Sequence, residues 1–165
     1  MAPASRTATA NRETVDHVMH GVVQIVALRR GMLGNYSSAW TGSGTVVDSR
    51  GIVLTNCHVA NPRAMGMPTP EANVLAVAVT ERSDEPPALT YIAEIVAQSP
   101  ELDLAVLRIV SGLDGRPVGD LDLDSVPLGD SDGLELGYTL SISGYPGIDG
   151  EPVTGDILDA GEARG

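Results

Sequence analysis

Residues 41–59, TGSGTVVDSRGIVLTNCHV, decide the fold. Two short runs, TVVD at 45–48 and IVLTN at 52–56, flank Ser49-Arg50-Gly51. Val, Ile and Thr suit a pleated, half-buried surface. A short link ending in Gly supplies the backbone freedom of a tight turn. The stretch therefore reads as a β-hairpin. Gly42-Ser43-Gly44 leads into it, and Cys57-His58-Val59 follows it. That puts His58 at the end of an apolar strand, with a loop immediately after.

The same signal recurs on either side. Residues 22–28, 74–80, 91–97 and 104–110 are apolar and rich in β-branched residues, and each predicts a strand. RSDEPP at 82–87 separates the second of these from the third, and Pro62, Pro68 and Pro70 make the stretch after the hairpin a loop. Residues 13–20 suit a short helical turn behind a small, polar tail at 1–12. From 111 to 124 the pattern lapses into Gly and Asp and reads as a linker. Further strands are expected at 126–128, 137–143 and 153–158, with Gly144-Tyr145-Pro146-Gly147 as a turn. Many short strands with frequent turn signals predict an all-β chain, a barrel or a sandwich. At 165 residues the chain can bury a core without covalent staples.

Charge narrows the function. All ten basic residues are Arg, against 22 acids, for a net charge of −12. Residues 1–100 carry 8 acids and 7 Arg, while residues 101–165 carry 14 acids and 3 Arg. No basic footprint exists for a nucleic acid, and the acidic C-terminal third would be repelled by an anionic membrane. The single Cys, Cys57, excludes an internal disulfide and a multi-cysteine zinc site. Residues 1–12 contain no apolar segment of the signal-peptide kind.

Few residues are left that could carry chemistry. A His at a strand end is either structural or a proton-transfer group. Asp103 precedes Leu104-Ala105-Val106-Leu107, the most apolar strand. It either caps that strand towards water or orients a neighbouring imidazole. Cys57 and His58 are adjacent, so on a strand they point to opposite faces and Cys57 reads as a core residue. His17 and His20 are spaced to share a helix face, but no third metal ligand stands near them. Asp120, Asp122 and Asp124 open like a calcium loop, yet Ser125 and Ser131 occupy the positions that need Gly and Glu. These aspartates read as a solvated linker.

His58 and Asp103 also belong to a larger pattern. Residues 41–47 followed by 51–59 resemble the catalytic-His region of chymotrypsin-like serine proteases, in particular the bacterial HtrA/Deg type. Asp103-Leu104-Ala105-Val106-Leu107-Arg108-Ile109 resembles that family's catalytic-Asp strand. Leu128-Gly129-Asp130-Ser131-Asp132, Leu136-Gly137 and Ser143-Gly144-Tyr145-Pro146-Gly147 resemble the opening of its second barrel. The motifs stand in the family's order across roughly residues 20–160.

The resemblance implies two antiparallel β-barrels with the active site between them. The expected organisation is a tail with a short helix (1–20), a complete first barrel (21–112), an acidic linker (113–125) and the first strands of a second barrel (126–165). The implied activity is peptide-bond hydrolysis on a polypeptide substrate, with no cofactor and no metal, in an extracytoplasmic bacterial setting. His58 would be the general base and Asp103 the acid that orients it. A Ser hydroxyl is a poor nucleophile near neutral pH, so an imidazole must take its proton and return it to the leaving amine. A carboxylate fixes the tautomer that can do this.

The nucleophile motif, Gly-(Asn/Asp)-Ser-Gly-Gly, does not occur in the 165 residues. Ser43 belongs to the His motif, and Ser141 and Ser143 fit no nucleophile-elbow pattern. The chain alone is therefore expected to be inactive. The alternative is a non-catalytic, protease-like module that binds a peptide or protein by strand addition. Incomplete second-barrel strands would also leave an open edge for self-association. Trp40 and Tyr36 either line the His side of a cleft or pack at the barrel rim.

Overall fold

Hydrogen bonding closes the sheet on itself. The computed structural model describes residues 12–31, 35–82, 85–138 and 140–145. Its elements are α1 (Arg12–Gly21), β1 (Val22–Arg30), β2 (Tyr36–Asp48), β3 (Ile52–Thr55), α2 (Cys57–Ala60), β4 (Val74–Val79), β5 (Ala88–Ser99) and β6 (Leu104–Gly112). The strands follow one another around a closed barrel in the order β1-β2-β3-β6-β5-β4, and β4 returns to β1 through Ala78↔Gln24 to Val74↔Leu28. Every pairing is antiparallel. Closure is one way a small all-β unit satisfies its backbone groups with few free edges. The architecture is all-β and chymotrypsin-like.

Alternation fills the barrel. Along β6, Ala105, Leu107 and Ile109 are buried, while Leu104 and Arg108 are exposed. This is the two-residue period of a strand with one face inward. The inward set meets Val23 and Ile25 of β1, Val46 of β2, Val53 of β3, Val77 of β4 and Ala93 of β5. A second cluster, Val26, Leu28 and Ala76, is covered by Tyr36, Val74, Leu89 and Leu113.

The hairpin forms as its turn chemistry predicts. Gly51 adopts φ +89 and its N–H donates to Asp48 O at 3.0 Å. Asp48 Oδ1 accepts from Arg50 N at 3.0 Å and Nε at 2.9 Å, and Oδ2 accepts from Nη2 at 2.6 Å. The Arg50 guanidinium, helped by its backbone N–H, lowers the Asp48 carboxyl to about 2.

Several boundaries differ from the sequence reading. β2 begins at Tyr36 rather than at 45, pairing with β1 from Arg30↔Tyr36 to Val22↔Thr45. The small residues YSSAWTGSG hid it, and packing explains part of that smallness. A Cβ on Gly44 would stand 2.8 Å from Val53 Cγ1 and 3.1 Å from Ile25 Cδ1. The polar ends of β5 are strand as well, out to Ala88 and Ser99.

The stretch 113–125 runs back along the barrel. Leu121 and Leu123 pack on the core while Asp120, Asp122 and Asp124 stay exposed. Leu123 N donates to Ser49 O at 3.0 Å and Val126 N to Val46 O at 2.8 Å. The strands expected at 126–128 and 137–143 are not formed among the described residues. A strand needs a run of partners for its N–H and C=O groups. At 126–128 the bond from Val126 to β2 stands before Pro127, which has no N–H to continue it, and no strand pairs with 137–143 among the described residues. The strand expected at 153–158 and the tail at 1–11 lie outside the described residues.

Burial predicts stability. Leu107 is fully buried at the centre of the inward set, whereas Leu102 is 70% exposed. Leu107→Ala should lower unfolding free energy by about 2–5 kcal/mol. Leu102→Ala should change it by less than about 0.5 kcal/mol. Urea denaturation followed by circular dichroism checks both.

Candidate active site

The site begins where β3 stops. Thr55 is buried, and its Oγ1 donates to Ser43 O at 2.6 Å, tying the strand end to β2. The chain then turns into α2, a single helical turn. The sequence reading kept His58 on the strand; it lies in this turn instead. Cys57, Val59 and Ala60 are buried, so three of the four residues of α2 anchor it and His58 projects outward. Cys57 is a core residue, as expected, though a helical turn rather than strand alternation separates it from His58. Gly42 allows the approach of α2, because a Cβ there would stand 2.6 Å from both Cγ atoms of Val59.

Asp103 reaches the site from the β5–β6 turn. It has φ +50, a left-handed conformation that few non-Gly residues adopt but that Asp tolerates better than most. Its N–H donates to Pro100 O at 3.2 Å. The carboxylate grips His58 twice. Oδ1 accepts from the His58 backbone N–H at 2.9 Å, and Oδ2 lies 2.7 Å from His58 Nδ1. The His58 backbone N–H, then the ring, hold the Asp103 carboxyl below its ordinary value, and the Asn56 amide adds to this. An ionised carboxylate only accepts hydrogen bonds, so Nδ1 carries the proton. In the neutral ring, Nε2 then keeps its lone pair.

His58 opens onto a pocket of about 340 Å³, lined by Trp40, Thr41, Ser43, Val59 and Tyr145 among others. Trp40 belongs to this wall, and its Nε1–H donates to Val59 O at 2.8 Å. Tyr36 does not. It packs in the second core cluster, with the Arg30 guanidinium 5.9 Å from its ring centroid. Tyr145 comes from the end of the described chain. Its N–H donates to Ser43 Oγ at 2.7 Å, Ser43 Oγ donates to its O at 3.1 Å, and its hydroxyl is bonded to Thr80 Oγ1. The Ser43 hydroxyl is therefore engaged with main chain. Among the described residues, no Ser hydroxyl is bonded to the His58 ring.

Other candidates lie elsewhere. A second pocket of about 400 Å³, lined by His20, Thr80, Tyr91 and Asp124 among others, does not include His58. His20 Nδ1 stands 3.4 Å from Asp124 Oδ2. Asn56 carried no role in the sequence reading, yet its amide contacts Asp103. The sequence offers no signal for this, because residues 52–56 read as strand and α2 after them is seen only in the structure.

Comparison with known proteins agrees with this architecture. The pattern of the trypsin-like peptidase domain matches residues 42–164. A DegP-like periplasmic serine endoprotease of Marinomonas sp. is 33% identical over 120 residues, covering 72% of this chain and 20% of the relative. The periplasmic serine endoprotease DegP of Salmonella typhimurium is 30% identical over 121 residues, with the same two coverages, 72% and 20%. The chain thus spans about a fifth of the length of these curated relatives. With its barrel, its His58–Asp103 contact and this match, the chain belongs to the trypsin-like peptidase domain family, of the HtrA/Deg type.

Proposed function

We propose that this chain is the His–Asp part of a serine endopeptidase that hydrolyses peptide bonds by acyl transfer to a Ser and then to water. His58 is the general base and Asp103 its orienting acid. The observation that carries this reading is the double contact of one carboxylate with one His, at 2.9 Å to its backbone N–H and 2.7 Å to Nδ1. It leaves Nε2 without a hydrogen-bond partner among the described residues, on a ring that lines an open pocket, so that it can take a proton from a nucleophile and return it to a leaving amine. The substrate is a polypeptide. On this reading a second barrel supplies the nucleophile and the oxyanion donors.

One observation favours a second reading, binding by strand addition. β2 pairs with β1 from Tyr36 to Thr45, but with β3 only from Gly44 to Asp48. Its first half therefore has one edge without a strand partner among the described residues, beside the Trp40–His58 pocket. An extended peptide could pair there without being cleaved.

Activity separates the two readings. The 165-residue chain should not digest fluorogenic casein above background, because removing the nucleophile of such a triad costs about 10⁶ in turnover. A chain extended past Gly165 to include a Gly-x-Ser-Gly-Gly motif should digest it, and His58→Ala should then abolish turnover. Activity of the 165-residue chain that disappears in His58→Ala would show a nucleophile within it. An extended chain that carries the motif and binds peptide without cleaving it would favour the binding module.

Acid should loosen the site. A carboxyl held below its ordinary value stabilises the fold above its unfolded pKa of about 3.9, and that contribution is lost as pH falls through the folded value. Asp103 is such a group. Unfolding free energy should therefore drop from mildly acidic pH downward, and Asp103→Asn should shrink the drop. An equal drop in the variant would place the effect in other carboxyls, among them Asp48.

Self-association is the last part of the proposal. Leu134, Leu136, Tyr138, Leu140 and Ile142 alternate with polar or small residues and are all at least 50% exposed. Such exposed apolar side chains are suited to contact a second chain, while the acidic C-terminal third opposes this by repulsion that salt screens over about 8–10 Å. Light scattering should show association increasing with salt. A dimer held by ion pairs would do the reverse.

A further inference from the structure

We propose that Asn56 is a positioning residue, whose side-chain amide fixes the backbone and carboxylate of Asp103 so that this carboxylate can hold His58. The proposal rests on the reading of His58 and Asp103 as a base and its orienting acid.

Asn56 stands at the N-cap of α2, with φ −80 and ψ 149. An Asn in that position ordinarily accepts a hydrogen bond from the second or third amide of its own helix. Here the side chain makes no capping bond. His58 supplies the second amide of α2, and its N–H goes to Asp103 Oδ1 at 2.9 Å instead. The carboxylate of a residue 45 positions away has taken over the cap.

The freed Asn56 amide turns to the residue that replaced it. Nδ2 donates to Asp103 O at 3.0 Å and to Asp103 Oδ2 at 3.2 Å. Both partners are acceptors, so only the amide nitrogen can face them and the orientation of the side chain is determined. The two contacts constrain different freedoms. The bond to the carbonyl holds the main chain of a residue with φ +50, and the bond to Oδ2 holds the carboxylate's rotation. Oδ2 is also the atom that meets His58 Nδ1. Asn56 is itself exposed, so burial does not account for an amide there.

The test reads the imidazole directly. In chain labelled with ¹⁵N-His, the ring shifts in alkaline buffer report the ratio of Nδ1–H to Nε2–H tautomer at His58. Asn56→Ala should lower that ratio about five- to tenfold, the weight of one ordinary hydrogen bond. Asn56→Asp, which keeps the shape but has no donor when ionised, should lower it at least as far. Neither should move the urea midpoint by as much as Leu107→Ala. A folded Asn56→Ala chain with an unchanged ratio overturns the proposal. If Asn56→Ala does not fold, Asn56→Asp is read in its place, and an unchanged ratio there also overturns the proposal. Asp103→Asn separates this from the underlying reading. A ratio that responds to Asp103→Asn but not to Asn56→Ala leaves the His–Asp pair standing without its positioning residue. A ratio that ignores both removes the pair as well.

Discussion

The pairing of β3 with β6 is the contact on which the site depends. Thr55 sits opposite Ala105 and Ile52 opposite Arg108. Because the strands are antiparallel, the exit of β3 lies beside the entry of β6. His58 follows that exit by three residues and Asp103 precedes that entry by one. A slip of one residue would turn every inward side chain of β6 outward, exposing Leu107 and Ile109. The hydrophobic core therefore enforces the register that brings the imidazole and the carboxylate together. Packing and candidate chemistry are set by the same four pairings.

The polar contacts add direction to that placement. Asp103 serves at once as a helix cap, an imidazole partner and an acceptor for the Asn56 amide. Both side chains of the pair are partly exposed, His58 at 45% and Asp103 at 33%. Exposed ion pairs contribute little to stability. The geometry is better understood as orientation than as fold energy. Its value lies in fixing one tautomer and one ring plane, with barrel and helical turn kept rigid by buried neighbours such as Cys57 and Val59.

The sequence made some of this legible and left some hidden, for physical reasons. The hairpin, the alternation of β6 and the candidates His58 and Asp103 depend on residue type and local spacing, which a sequence displays. The early start of β2 did not show, because Gly42 and Gly44 are small to admit Val59 of α2, Val53 of β3 and Ile25 of β1. The role of Asn56 did not show either. Asn56 ends a run that reads as strand, so its place before α2 is not visible, and the transfer of the cap to Asp103 follows from the β3–β6 register. The strand expected at 137–143 has the right alternation and no strand to pair with among the described residues, and the one expected at 126–128 makes a single bond to β2, from Val126 to Val46. Alternation states which face would be buried, not what would bury it.

That contrast explains how a His–Asp pair can be assembled here by one barrel. Every group that holds Asp103 on His58 lies on α2, on the residue before it, or in the β5–β6 turn. Among the described residues, none lies after residue 125, where Tyr145 meets the pocket through Ser43. On the proposed reading, the orientation of the base is thus complete before any nucleophile arrives. A second barrel need only present its Ser to a ring whose tautomer is already chosen. Errors in docking that barrel would alter the distance to Nε2 while leaving the hydrogen bond at Nδ1 intact. The two halves of the chemistry can therefore fail separately, because the contacts that hold them are separate.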